Sequence, residues 1–248
     1  MTTSNTVYLI SGANRGIGLE FVKQLSERPN TVVFAGARNP KVATDLQALA
    51  AKHPGRVHVV ELKACDEQGN ARVVEEIRQK AGQLDVVIAN AAICNDVQEL
   101  LNVSPQSMRE HFDINVVGTL VLFQAAYPLM KTSPTRKFVV IGAKGGSITL
   151  GPEYRSALGP YAVSKAAVHY VAKKLQFENE DFVIFPICPG RVSTDMYISA
   201  QSNDAELAKH PGETPAYSVA SMLRVIDGAT RENAGGKFMD VSGGVNEW

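Results

Sequence analysis

The chain has 248 residues, of which 45% are hydrophobic and 20% charged, and its 25 basic and 25 acidic side chains balance. This composition excludes an intrinsically disordered chain, and the missing basic excess argues against a nucleic-acid partner. Its three cysteines form no CxxC pair and no metal-ligand spacing, so we expect a reducing, cytoplasmic compartment and no metal. The longest apolar run, 116–130, is too short to cross a membrane and predicts a core helix.

Short β-rich runs alternate with helical patterns along the chain. The strand candidates are continuous apolar runs, which is typical of strands buried on both faces of a parallel sheet. The alternation predicts an α/β chain with one domain over 1–248: a single-domain Rossmann fold, with a doubly wound parallel sheet of about seven strands and helices on both faces. Strands are predicted over 6–11, 31–38, 56–62, 84–92, 137–143 and 181–190, and helices over 15–28, 40–53, 66–81, about 105–131 and 160–179.

A glycine-rich stretch, SGANRGIG at 11–18, follows the first strand and opens a helix. Gly12 permits a tight turn, Gly16 allows the backbone to approach a ligand, and Gly18 allows close helix packing. The free N–H groups and positive dipole of the helix start suit a pyrophosphate. In this strand–turn–helix context the stretch predicts a dinucleotide site rather than an ordinary glycine turn.

The second strand indicates which dinucleotide binds. An NAD site usually has an acidic residue at its end, whereas this strand is followed by Arg38. Arg15 in the glycine-rich stretch supplies a second cation, and two guanidinium groups suit a 2′-phosphate. We therefore predict NADP(H) as the cofactor, the alternative being that both arginines are solvated surface residues.

Tyr161 and Lys165 are four residues apart on a predicted helix and so lie on one face. A nearby ammonium favours the phenolate and lowers the tyrosine pKa, which predicts a proton donor beside its electrostatic partner. Such a pair alone is usually only helix surface, and its combination with the glycine-rich stretch gives it significance.

Five motifs occur together in one order along the chain. They are SGANRGIG (11–18), IANAA (88–92), Asn115 in DINVVG, YAVSK (161–165) and PGRVSTDM (189–196). With them the chain resembles the short-chain dehydrogenase/reductase family. Its ending, GGKFMDVSGGVNEW, resembles the carbonyl-reductase branch, which includes enzymes similar to fungal norsolorinic acid ketoreductase.

The resemblance implies an NADPH-dependent ketoreductase that passes hydride to a carbonyl of a small apolar or aromatic molecule, such as a secondary-metabolite intermediate. Tyr161 then donates the proton, Lys165 bonds the nicotinamide ribose, and Asn115 holds a water that links the lysine to solvent. The implied cofactor contacts are Gly12, Asn14, Arg15, Gly16, Ile17, Gly18, Arg38, Asp66, Asn90, Ala91, Tyr161, Lys165, Pro189, Gly190, Val192 and Thr194.

Two departures from the family pattern leave roles open. The family expects a carbonyl-polarising serine where this chain has Ala143, and Ser147 stands four residues further on. Either Ser147 is that serine, or its hydroxyl bonds its own loop and Tyr161 acts alone. At the adenine, Lys63 replaces an expected aspartate, and Asp66 either substitutes for it or caps the next helix.

Two other functions stay open: a non-redox cyclisation, dehydration or isomerisation on the same fold, and an NADPH-binding sensor. The sensor does not require the phenol of Tyr161. Substrate specificity is expected in 93–96, in the loop 144–158 and in an irregular lid at 191–214 that includes Met196 and Tyr197. The resemblance also implies a homodimer or homotetramer, joined through helices near 105–131 and 160–179.

Overall fold

The computed structural model describes residues 5–248, which form a seven-stranded parallel sheet with the order β3-β2-β1-β4-β5-β6-β7. The predicted sheet is confirmed, and β2 shows why its strands are unbroken apolar runs, because all seven of its residues are buried. The strands are β1 (Thr6–Ile10), β2 (Thr31–Ala37), β3 (Val57–Glu61), β4 (Val86–Ala89), β5 (Lys137–Ile141), β6 (Val183–Cys188) and β7 (Met239–Asp240).

The helices cover both faces of the sheet. They are α1 (Gly16–Ser26), α2 (Thr44–Lys52), α3 (Glu67–Ala81), α4 (Pro105–Phe112), α5 (Gly118–Met130), α6 (Gly159–Glu178), α7 (Asp195–Asn203), α8 (Ala205–Ala208) and α9 (Pro215–Gly228). One apolar core joins α1, α2 and α9 to the sheet, and a second joins α3, α5 and α6 to the opposite face. The doubly wound arrangement is therefore confirmed.

The longest helical run exceeds the apolar run read from the sequence. A π-helical turn (Asp113–Val117) joins α4 to α5, so the run Pro105–Met130 has 26 residues and is apolar enough to cross a bilayer by length and composition. Half of its most apolar window is buried inside the protein, and residues such as Phe123 and Ala126 belong to the second core. The run packs as a core helix.

The predicted irregular segment 191–214 is wrong in its secondary structure, because it contains α7 and α8. Thr194 and Asp204 cap these helices with side-chain oxygens that accept backbone N–H groups. Capping by Thr and Asp is a local signal for helix starts. The helix α9 and the strand β7, which follow this segment, were not among the predicted elements.

The strand order places a crevice in the middle of the sheet. From β1 the chain winds outward through β2 and β3, then returns to add β4 to the other side of β1. Ligands of open α/β sheets bind at such a switch point, beyond the carboxyl ends of the strands. The motifs of the sequence analysis follow β1, β4, β5 and β6, so they meet at this edge.

Candidate active site

The glycine loop, residues 11–18, has the conformation that a close ligand approach requires. Gly12 and Gly16 have φ values of +62° and +54°, in the left-handed region that favours glycine. A Cβ on Gly12 would lie 2.9 Å from the Ala91 Cα, and one on Gly18 would lie 2.3 Å from the Gly12 carbonyl oxygen. Side chains at these positions would push β4 or α1 away from the loop.

The start of α1 is available to an anion. Its N-cap residue, Arg15, makes no capping hydrogen bond, and the first turn has no acidic residue. The first N–H groups and the helix dipole therefore face any ligand held by Gly16, Ile17 and Gly18. With Asn14 exposed beside them, these residues fit the pyrophosphate of a dinucleotide.

Asn90 and Ser11 fasten the glycine loop to β4. The Asn90 Nδ2 donates to the carbonyl oxygens of Ser11 (2.9 Å) and Gly12 (3.0 Å). The Ser11 Oγ accepts the backbone N–H groups of Asn90 and Ala91, each at 3.0 Å. The segment at 90–91 thus braces the cradle, while its implied contact with the cofactor stays a prediction.

Two arginines lie near the predicted 2′-phosphate. Arg38 is exposed directly after β2, and no acidic residue ends that strand. Arg15 is also exposed and its Nη1 lies 3.7 Å from an Asp195 carboxylate oxygen at the start of α7. Because exposed ion pairs are weak, Asp195 leaves the Arg15 guanidinium free to bind a phosphate.

A recess of about 20 Å³ opens between the ends of β1, β3 and β4, where an adenine ring is expected. Asp66 is not among its lining residues. Its Oδ1 accepts the Gly69 N–H at 2.8 Å and caps α3, as the capping alternative predicted, so its adenine contact stays a prediction. The lining is formed by Ser11, Leu62, Lys63, Ala64, Asn70, Ala91, Ile114, Gly118, Thr119 and Leu122.

Asn115 lies in the π-helical turn and its side chain is fully engaged. The Oδ1 accepts the Ile93 N–H (2.8 Å), and the Nδ2 donates to the Ile93 carbonyl (3.0 Å) and to the Ser164 Oγ (2.9 Å). The backbone carbonyl accepts the Thr119 hydroxyl at 3.0 Å, and a carbonyl oxygen has two lone pairs. A water held by Asn115, as predicted, would therefore bind this carbonyl.

Tyr161 and Lys165 lie one turn apart on α6, beneath the carboxyl end of β5. The Lys165 Nζ is 5.5 Å from the Tyr161 ring centroid and donates to the Ile141 carbonyl at 2.7 Å. The Ser164 Oγ donates to the Tyr161 carbonyl at 2.7 Å and links this turn to Asn115. The structure thus brings together three predicted catalytic residues.

Burial governs the protonation of this pair. The pKa of Tyr161 is raised well above its usual value, first by burial and then by the neighbouring thiols of Cys94 and Cys188. Burial also lowers the pKa of Lys165 to about 8. The predicted lowering of the tyrosine pKa is therefore wrong for this structure, because burial and the two cysteines all raise it. At neutral pH the phenol holds its proton and the lysine is mostly charged.

Ala143 follows β5 in an extended conformation and carries no hydroxyl. Ser147 comes after the 3₁₀ turn Lys144–Gly146 and is 2% exposed. Its Oγ accepts the Leu150 N–H at 2.9 Å, as the loop-bonding alternative predicted. The hydroxyl therefore braces the loop, while its role toward a substrate carbonyl stays a prediction.

The segment 189–194 lies against the glycine loop. Gly190 has a φ of +78°, and a Cβ on Gly16 would lie 3.2 Å from the Thr194 Cγ2. The Pro189 carbonyl accepts the Ser218 hydroxyl at 2.7 Å, and Val192 is buried. These contacts place the predicted nicotinamide segment beside the predicted pyrophosphate cradle.

Some of the residues in this site were missed or set aside by sequence reasoning. Ser11 and Ser164 carry cross-links between elements that are distant in the chain. His169 is buried beside β5, although the sequence showed no partner for it. Its spacing was a signal, because it lies four residues after Lys165 and eight after Tyr161, on the same face of α6.

Fold and site together define a nucleotide-binding oxidoreductase. The profile of the short chain dehydrogenase family matches residues 6–205. The chain belongs to the short-chain dehydrogenase/reductase family, and it is an oxidoreductase of the carbonyl-reductase type that uses a nicotinamide cofactor.

Individual relatives agree with this assignment. The chain is 36% identical to norsolorinic acid ketoreductase of Aspergillus parasiticus, over 94% of this chain and 88% of that protein. It is 35% identical to an oxidoreductase of Schizosaccharomyces pombe, over 95% of each. An NADPH-bound carbonyl reductase from chicken fatty liver has a TM-score of 0.86 and 27% identity, over 99% of this chain and 95% of that one.

Proposed function

We propose that this enzyme is an NADPH-dependent ketoreductase acting on a small apolar or aromatic ketone. The observation that carries the proposal is the Tyr161–Lys165 pair at the end of β5, beside the uncapped α1 and its glycine loop. The similarity to norsolorinic acid ketoreductases supports an aromatic secondary-metabolite intermediate as substrate.

The bound cofactor supplies the hydride, and the protein supplies orientation and a proton. Gly16, Ile17 and Gly18 would hold its pyrophosphate, and the segment 189–194 would hold its nicotinamide half. Tyr161 donates its phenolic proton to the oxygen of the substrate carbonyl. Its raised pKa suits this direction, because the donor is protonated at neutral pH. Lys165 then stabilises the phenolate, and the Asn115 carbonyl holds the water that returns the proton.

The test is oxidation of NADPH with a panel of aromatic ketones, with product analysis. Tyr161→Phe should lower kcat by about 10²- to 10⁴-fold and leave NADPH binding unchanged, because it removes only the proton donor. Tyr217→Phe, which alters an exposed tyrosine on α9, is the matched control. Product formed without NADPH consumption, and unaffected by Tyr161→Phe, would instead support the non-redox function.

Preference for NADPH over NADH rests on Arg38 and Arg15. Arg38→Leu should raise the KM for NADPH by about 10- to 100-fold and leave that for NADH within about threefold, because only NADPH carries the 2′-phosphate. Arg78→Leu, an exposed arginine on α3, is the control. Equal effects on both cofactors would contradict the proposed role.

We also propose a homodimer joined through α6. Val163, Tyr170 and Phe177 are 39%, 70% and 79% exposed, and their seven-residue spacing places them in one stripe along the helix. Large exposed apolar side chains on one face of a helix are typical of a protein interface. The oligomer predicted from the resemblance then uses this face.

A further inference from the structure

A second polar group of α6, one turn beyond Lys165, holds the end of β5. The His169 Nε2 accepts the backbone N–H of Ala143 at 3.3 Å. The side chain is 1% exposed. A Cβ on Gly142 would lie 2.5 Å from this same Nε2. The imidazole thus occupies the space beside Gly142 and meets the strand where the family serine is absent.

The imidazole is neutral and fixed in one tautomer. Its ring centroid lies 4.3 Å from that of Phe238 and 6.2 Å from that of Trp248. Burial, and then the ammonium of Lys165, lower its pKa to about 3. Because Nε2 accepts a hydrogen bond, the ring proton is on Nδ1, and a backbone contact with Gly146 partly opposes the lowering of the pKa. A group that does not titrate near neutral pH is suited to hold a backbone amide.

Two side chains of α6 therefore form hydrogen bonds with the backbone at the end of β5. Lys165 donates to the Ile141 carbonyl, and His169 accepts the Ala143 amide. The turn after Ala143 is also pressed on α6, because a Cβ on Gly146 would lie 2.6 Å from the Lys165 Cβ. The strand end is thus held directly against the helix that carries Lys165 and Tyr161.

We propose that His169 is a positioning residue, which fixes the Ala143 end of β5 relative to Tyr161 and Lys165. The inference rests on the proposed ketone reduction, because without a hydroxyl at position 143 the reaction depends on a single proton donor. A displacement of about 1 Å at a reacting group lowers a rate by up to about 10²-fold. His169 meets the strand end at Ala143 and the start of the loop 144–158 at Gly146, so we expect it to act mainly on kcat.

Variants of His169 separate positioning from folding. His169→Leu and His169→Phe keep the volume but remove the acceptor, whereas the Oε1 of His169→Gln reaches the Nε2 position. We expect kcat to fall about 10- to 100-fold in Leu and Phe variants, with the substrate KM and NADPH Kd within about threefold. The kcat of His169→Gln should be within about threefold of the wild-type value. The inference is overturned by an unchanged kcat in the apolar variants, or by a Gln variant as slow as they are.

Nitrogen-15 NMR of the wild-type imidazole provides a readout that needs neither turnover nor a folded variant. The expected state is a proton on Nδ1 and a hydrogen-bonded, unprotonated Nε2 from pH 5 to 9. A proton on Nε2, or a charged ring in this range, overturns the inference. Lack of turnover by the wild type with every ketone would count against the proposed function only, since the NMR result is independent of it.

Discussion

Ala143 occupies the position at which the family has a serine that polarises the substrate carbonyl. A donor aimed at the carbonyl oxygen contributes about 10²- to 10³-fold to a rate, and this position has only a methyl group. Its extended backbone accepts a serine without strain. Ser147, by contrast, is buried and already bonded to the Leu150 amide. The two residues therefore predict opposite outcomes on substitution.

Ala143→Ser should raise kcat by about 10-fold or more on an unactivated ketone, because it adds a donor beside Tyr161. Ser147→Ala should leave kcat within about threefold and lower the free energy of unfolding by about 1 kcal/mol, because the Leu150 amide loses its acceptor. Steady-state kinetics and urea unfolding measure both. A loss of 10²-fold or more in the Ser147 variant would instead identify Ser147 as the donor.

Lys165 trades stability for function. Its pKa falls from 10.5 to about 8 on folding, so burying its charge costs roughly 3 kcal/mol near neutral pH, from 1.36 kcal/mol per pKa unit. Lys165→Met should abolish reduction. It should raise the free energy of unfolding by about 2 kcal/mol, because the variant avoids the cost of burying a charge but loses the hydrogen bond to the Ile141 carbonyl, which contributes about 1 kcal/mol.

The stability gained by Lys165→Met should decrease as the pH rises. Between pH 8 and 10.5 the unfolded wild type binds the proton more tightly than the folded one, so wild-type stability rises relative to the variant. Chemical unfolding should therefore show a smaller difference in the free energy of unfolding between Lys165→Met and the wild type at pH 10 than at pH 7. A difference independent of pH would contradict a charged, buried lysine.

Among the elements, the join between α7 and α8 links the predicted lid to the substrate loop. The Asp204 Oδ2 accepts the Ala157 N–H at 2.5 Å, and its Oδ1 accepts those of Glu206 (2.8 Å) and Leu207 (3.0 Å). Burial pushes its pKa up, but these N–H groups bring it below its ordinary value. The buried carboxylate of Asp204 thus holds the predicted lid to Ala157, which lies two residues before the start of α6.

Asp204→Ala should release this connection. We expect the substrate KM to rise about 10-fold and the free energy of unfolding to fall by about 1–3 kcal/mol, because three N–H groups lose their acceptor. NADPH affinity should stay unchanged, since the glycine loop is not involved. Glu206→Ala, which removes the surface pairs with Lys209 and His210 but leaves the Asp204 carboxylate in place, is the control. An unchanged KM would show that the lid closes without this bond.

For the whole molecule, the exposed stripe on α6 predicts the assembly. Phe177→Glu should convert the proposed dimer to a monomer at micromolar concentration, because a charge is placed in an apolar contact. Val42→Glu changes another exposed apolar residue, near β2, and should leave the dimer intact. Sedimentation velocity distinguishes the two. A wild-type monomer would contradict the proposal.

The sequence by itself determined the sheet, the cofactor cradle and the pairing of Tyr161 with Lys165. These features are local: apolar periodicity, glycine positions and a four-residue helical spacing follow from a few neighbouring residues. The sequence also raised both alternatives for Ser147 and for Asp66, because each is a choice among short-range hydrogen bonds.

The tertiary structure decided what depends on contacts between distant residues. The pKa of Tyr161 is raised rather than lowered because burial is a sum over side chains from several elements, such as Cys94 and Cys188. The grip of His169 on Ala143 joins positions 26 residues apart. The hydrogen bond from Ala157 to Asp204 joins the predicted lid to the substrate loop across 47 residues. Sequence periodicity cannot predict such contacts, because they form only when the helices pack on the sheet.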